Sequence, residues 1–231
     1  MSLLHKEVFL GPTGGFFDPF SEFFPPDAKA LETVVRTIAR PGMRVAEIGS
    51  WIGGSTSILG KVAKEYGGGV FAIDHWQGSP GVVGHQELLS EFNVHTLFLE
   101  HMQTRGFLSV VKDIKMDSLT AAKNFLAESL DLIFIDADHR YSAVSADIKA
   151  WFPKVKLGGI LCGHDCEGYF SKYSLSEQTY IVEGCEEDYV VQTFANGQKG
   201  YHCGVIKALY DAFGDKYQRM PDSSIWYLRR E

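Results

Sequence analysis

Val45-Ala46-Glu47-Ile48-Gly49-Ser50-Trp51-Ile52-Gly53-Gly54-Ser55-Thr56 reads as a short buried strand that breaks at a glycine turn and enters a helix, with Ser55 as the expected cap. An acidic residue at the strand end and glycines at 49 and 53 suit a nucleoside ligand lying very close to the backbone. The Gly-x-x-x-Gly spacing is neither the Gly-x-Gly-x-x-Gly of dinucleotide sites nor the lysine-bearing phosphate loop. A ligand without phosphates fits that difference.

Outward from the turn, the pattern alternates. Leu31, Val34, Val35, Ile38 and Ala39 recur at helical spacing after Asp27, a candidate cap, and Pro41-Gly42 stops that helix. A helix from about Ser55 to Tyr66 closes at Gly67-Gly68-Gly69, and a second buried strand, Val70 to Ile73, ends in Asp74. Strand, helix, strand is a parallel unit with a right-handed crossover. Residues 75–106 carry a further helical stretch around Leu88, Leu89 and Phe92, and a third strand from Val110 to Met116 ends in Asp117-Ser118. A helix from Leu119 to Leu126 leads to the strongest strand, Leu130 to Ile135, which stops at Asp136-Ala137-Asp138-His139. Val144, Ile148, Trp151 and Phe152 mark the next helix; Ile160-Leu161-Cys162 forms a fifth strand ending in Gly163-His164-Asp165. A helix over Val205 to Phe213 and a strand over Ile225 to Leu228 close the chain. The expected fold is α/β: a doubly wound, mostly parallel Rossmann-like sheet of about seven strands, the last antiparallel, with helices on both faces.

A chain of 231 residues fits one domain with a full core. Residues 1–26, rich in phenylalanine and proline, read as an N-terminal arm, 27–231 as a single domain, and 166–200, aromatic but without periodicity, as a substrate lid. The arm's phenylalanines leave a homodimer open. A net charge of -7 argues against nucleic acid as partner. No apolar run is long enough for a membrane span and no export signal is visible, so a cytoplasmic location is expected. The four cysteines then read as reduced thiols. Cys162-Gly163-His164-Asp165-Cys166 lacks the Cys-x2-Cys spacing of structural zinc sites.

Asp74, Asp117, Asp136 and Asp165 all end strands, and ligands of open parallel sheets bind at that edge. The joint order Glu47-x-Gly49-x-x-x-Gly53, Asp74, Ile135-Asp136-Ala137-Asp138-His139-x-Tyr141 and Gly158-Gly159-x-x-x-Gly163-His164-Asp165 resembles the class I S-adenosylmethionine-dependent methyltransferases. The likeness is to the small-molecule O-methyltransferase branch of macrocin and catechol type. It covers roughly residues 27–165, with a weaker echo from Gly204 to Tyr227. The resemblance implies S-adenosylmethionine as cofactor, bound by Glu47, Gly49, Ser50, Gly53, Asp74, His75, Asp117, Ser118 and Asp136. Glu47, Gly49 and Gly53 would line its methionine and ribose side, Asp74 would accept from the ribose diol, and Asp117 and Ser118 would lie near adenine.

In the cation-dependent branch, one acidic residue after strand four and two ligands after strand five hold a divalent metal; here these are Asp136, His164 and Asp165. A histidine where aspartate is usual moves preference from magnesium or calcium toward manganese, iron or zinc. Asp136 and His139 are the expected catalytic residues, His139 as general base, with Asp138 orienting a ligand. The expected reaction is O-methylation of a small hydroxylated metabolite. Two competing readings are a nicotinamide-dependent oxidoreductase and a non-haem-metal oxygenase built on His139, His164 and Asp165.

Overall fold

The computed structural model describes residues 25–231 apart from 80–81 and 195–196, together with the backbone of two short paired strands, β1 (Phe9–Leu10) and β2 (Phe16–Phe17). The rest of the expected aromatic arm lies outside the described residues. Helix α1 (Pro25–Arg36) precedes β3 (Arg44–Ile48), α2 (Gly54–Glu65) and β4 (Gly69–Asp74). Two helices, α3 (Val83–Glu91) and α4 (Val94–Thr104), fill the stretch before β5 (Val111–Lys115). Then come α5 (Ser118–Ala122), β6 (Leu130–Ile135), α6 (Tyr141–Trp151) and β7 (Val155–Gly163).

Residues 166–200, aperiodic in sequence, carry α7 (Leu175–Glu183) and most of a hairpin of β8 (Val190–Phe194) and β9 (Gly197–Tyr201). Helix α8 (Cys203–Phe213), β10 (Gln218–Arg219) and β11 (Trp226–Arg229) end the chain. The seven-stranded sheet runs β10-β11-β7-β6-β3-β4-β5, parallel from β7 to β5 and antiparallel where β11 meets β7 and β10.

Every residue of β6 is buried, as expected for a strand covered on both faces. Trp151, Ile148, Val144, Ile206 and Leu209 pack on one face of the sheet, and Leu31, Val34, Leu59, Val62, Phe98 and Met102 on the other. Successive strand residues point to opposite faces, so the two cores draw alternately on the same strands: Ile133 in one, Leu132 and Phe134 in the other. Among the described residues no helix is long and apolar enough to cross a membrane.

Two expected caps have other partners. Gly53, at φ 95, is the N-cap of α2, while Ser55 is the second residue of the helix and donates its hydroxyl to Glu47 (2.6 Å). Asp27 sits within α1, where its Oδ1 accepts from Ser223 Oγ (2.7 Å) and the Ser224 amide (2.9 Å) near the other end of the chain.

Candidate functional site

Gly49 turns the chain sharply after β3. Its φ is +88, and a Cβ there would lie 2.1 Å from the carbonyl oxygen of Asp136. Glycine is required because the ends of β3 and β6 converge, and this convergence brings the glycine turn beside Asp136. Gly53 answers to a different neighbour: a Cβ there would meet Met102 at 2.7 Å, so glycine lets α4 approach the turn.

Asp74 braces the turn. Its Oδ2 accepts from the amides of Ser50 (3.0 Å) and Trp51 (2.8 Å), and its Oδ1 from that of Trp76 (2.5 Å). A carboxylate has about four lone-pair sites, so one remains for a ligand. Trp51 and Trp76 both adopt positive φ (44° and 55°), strain that these amide bonds help to hold.

A cavity of about 280 Å³ opens at the carboxyl edge of β3, β4, β5 and β6. Of the residues expected at the cofactor, Gly49, Asp74, His75, Asp117, Ser118 and Asp136 line it. Glu47 lies below the turn, fully buried, its two oxygens taken by the hydroxyls of Ser55 and Thr56. Burial pushes its carboxyl up to about 7 against the pull of those hydrogen bonds. Glu47 therefore braces α2, and neither it, Ser50 nor Gly53 is among the lining residues. The cavity also takes in Trp51, His85 and Asp147, none of which had a local sequence signal.

Asp136 has a second set of neighbours. His164 Nδ1 lies 3.6 Å from Asp136 Oδ1 and 3.1 Å from Asp165 Oδ2, so the three expected metal ligands do converge. Asp165 holds φ 61, a left-handed conformation that only a well-supported site sustains. His139 joins them: its Nε2 is 3.0 Å from Asp165 Oδ2 and its Nδ1 is 2.9 Å from Asp188 Oδ1. His139 is not among the cavity-lining residues, and both of its ring nitrogens face carboxylates. Asp138 is clasped by the Arg140 guanidinium. His202 lies on the far side of Asp165, with Nδ1 3.5 Å from Asp165 Oδ1 and 2.6 Å from Glu167 Oε1.

The charges in this cluster are mutually dependent. Burial alone would raise the carboxyls of Asp136 and Asp165, but the two imidazoles outweigh it and hold both low. Conversely, burial would lower His139 and His164, but the surrounding aspartates push both up. The two imidazoles thus balance the carboxylates, and Asp136, His164 and Asp165 each offer one donor atom within 4.8 Å of the others, a nitrogen–oxygen set that could hold a cation. A second candidate cation group joins His139, Asp165 and His202, and among the described residues neither group includes a cysteine. Cys162 and Cys166 are buried thiols, and burial pushes Cys166 up to about 12.

Comparison with known proteins bears on this arrangement. The family described as "Methyltransferase domain" matches residues 46–166. Protein R132 of Acanthamoeba polyphaga mimivirus, uncharacterized, is 26% identical over 143 residues, 60% of this chain and 58% of its own. The chain thus spans under two thirds of that relative's length. Among solved structures, SAH-bound PaMTH1 of Podospora anserina superposes with a TM-score of 0.57 at 14% identity, covering 88% of this chain and 77% of that one. The O-methyltransferase NovP superposes with a TM-score of 0.56 at 17% identity, covering 88% and 78%.

Proposed function

This chain belongs to the methyltransferase-domain family, and from that membership we propose that it transfers the methyl group of S-adenosylmethionine to a hydroxyl oxygen of a small metabolite, assisted by a divalent cation. The observation that carries the reading is the double position of Asp136. It lines the cavity and is also one corner of the cation group with His164 and Asp165, so methyl donor and acceptor would meet there.

The cavity suits a nucleoside laid along the strand ends. Gly49 leaves the backbone open at the sulfonium end, Asp74 and His75 offer acceptors for a ribose diol, and Asp117 and Ser118 stand farther along for the base. Fold likeness to an SAH-bound methyltransferase and to an O-methyltransferase supports the same placement. Methyl transfer from a sulfonium asks mainly for approach geometry and a deprotonated acceptor. A divalent cation held by Asp136, His164 and Asp165 would lower the pKa of an acceptor hydroxyl and orient it. Four free cysteines fit a reducing, cytoplasmic setting.

Calorimetric titration with S-adenosylmethionine and S-adenosylhomocysteine, with and without manganese, tests the reading. Binding of both nucleosides is expected. Folded protein that takes up neither would overturn it.

A further inference from the structure

His139, the expected base, has a placement that also suits a ligand. Its Nε2 is shut off from solvent without a hydrogen-bond partner, although it lies 3.0 Å from Asp165 Oδ2 and 3.9 Å from Asp136 Oδ1. An imidazole nitrogen that close to two carboxylates yet not aligned for a hydrogen bond to either is oriented as a ligand is oriented. His164 Nδ1 faces the same two oxygens, at 3.1 and 3.6 Å. His139 Nε2 and His164 Nδ1 thus each face Asp136 Oδ1 and Asp165 Oδ2; as the side chains stand, Asp136, His164 and Asp165 form one candidate cation group and His139, Asp165 and His202 another, with Asp165 common to both.

These spacings can be compared with coordination geometry. Metal–nitrogen and metal–oxygen bonds of about 2.1 Å, at angles between octahedral and tetrahedral, place neighbouring ligand atoms about 3.0–3.4 Å apart. The four nitrogen–oxygen separations here, 3.0, 3.1, 3.6 and 3.9 Å, lie near that range, while the four donors do not yet fall within 4.8 Å of one another, so a shared ion would draw the two candidate groups together around Asp165.

The outer contacts point the same way. A ligating histidine usually gives its other nitrogen to a carboxylate, which fixes the tautomer and ring orientation. His139 gives Nδ1 to Asp188 at 2.9 Å, and His164 has Nε2 3.5 Å from Asp27 Oδ2. Asp27 is itself anchored by Ser223 and Ser224, and Asp188 comes from the segment between α7 and β8. Two inner carboxylates balance the charge of a divalent ion when both imidazoles are neutral.

Building on the cation reading above, we propose that His139 is a metal ligand, completing a centre of two histidines and two aspartates that prefers manganese, iron, cobalt or zinc to magnesium. Imidazole nitrogens favour these ions, whereas magnesium takes oxygen ligands almost alone and retains its waters. Asp136 borders the cavity, leaving coordination positions on that side for an acceptor oxygen.

The test is made on full-length protein stripped with chelator and reloaded with one equivalent of manganese. Pulsed electron paramagnetic resonance reads the number of nitrogens coupled to the ion without any substitution; two imidazoles are expected. By calorimetry, manganese is expected to bind at least about 100-fold more tightly than magnesium, and His139→Gln to lose about 10- to 100-fold of manganese affinity while S-adenosylhomocysteine affinity is kept. Manganese bound with a single coupled nitrogen, or with equal affinity in His139→Gln, would overturn the ligand role alone. Protein that binds S-adenosylhomocysteine but no cation at this centre would overturn the ligand role and the cation assistance together, leaving methyl transfer standing.

Discussion

His139 and Asp188, forty-nine positions apart in the chain, meet with Nδ1 and Oδ1 separated by 2.9 Å. The contact ties the segment that follows α7 to the edge of the parallel sheet. It also settles the ring's orientation, since a carboxylate at Nδ1 leaves Nε2 turned toward Asp165.

Asp188→Ala should therefore act through His139. Loss of an outer carboxylate of this kind lowers metal affinity or activity by about 10- to 100-fold. Asp188 is not among the residues lining the nucleoside cavity, so S-adenosylhomocysteine affinity should stay within about twofold on that reading. Parallel manganese and nucleoside titrations check both halves. A matching fall in the two affinities would mean that the substitution disturbs the whole rim.

At Gly49 the prediction concerns the backbone. Alanine there would place its Cβ 2.1 Å from the Asp136 carbonyl oxygen at a φ of +88. Left-handed strain and overpacking together should remove about 2 kcal/mol of stability or more. Gly42, also at positive φ (+70), has nothing within 4 Å of a built Cβ, so Gly42→Ala incurs the strain alone. Urea unfolding of the pair separates conformation from contact: Gly49→Ala should be clearly the less stable.

Asp74 is expected to matter for both the turn and the ligand. Its carboxylate takes three backbone amides, from Ser50, Trp51 and Trp76. Asp74→Asn keeps one acceptor oxygen but puts an amine where the other stood, facing N–H donors. Loss of a charge-assisted bond to the ribose would weaken S-adenosylhomocysteine binding by about tenfold or more, read by calorimetry. Unchanged affinity would confine Asp74 to bracing the turn.

The sheet was legible because its signals are local. Leu130 to Ile135 is apolar except for Asp131 and is bounded by Ser129 and Asp136, and the strand β6 has those same ends. Asp136, His164 and Asp165 could be grouped because each follows a strand whose neighbour in a parallel sheet can be inferred. Glu47 belongs to the strand end, but its carboxylate is taken by the hydroxyls of Ser55 and Thr56, a pairing that strand alternation alone does not reveal. Asp188 and His202 had no comparable signal, since only tertiary folding brings them to His139 and Asp165. One local signal does exist in 166–200: Ser174 and Glu177 form a capping box at the start of α7.

Glu47 supplies a pH dependence whose sign follows from its burial. Its carboxyl is pushed up to about 7 in the folded chain, against an ordinary value of 4.5. Between those limits the folded state binds more protons than the unfolded state, so stability is full below about pH 4.5 and falls as pH rises through about 7. The shift corresponds to a loss of ~3 kcal/mol. Glu47→Gln has no proton to lose, and the hydroxyls of Ser55 and Thr56 can turn to meet its amide. Asp147, pushed up to about 6 first by burial, contributes a loss of the same sign in both proteins and cancels from the comparison. Urea unfolding at about pH 5 and about pH 8 should therefore show a wild-type decline steeper than that of Glu47→Gln by ~2–3 kcal/mol. Parallel declines would mean that Glu47 ionises at its ordinary value, and that the hydroxyls beneath the glycine turn stabilise a buried carboxylate in full.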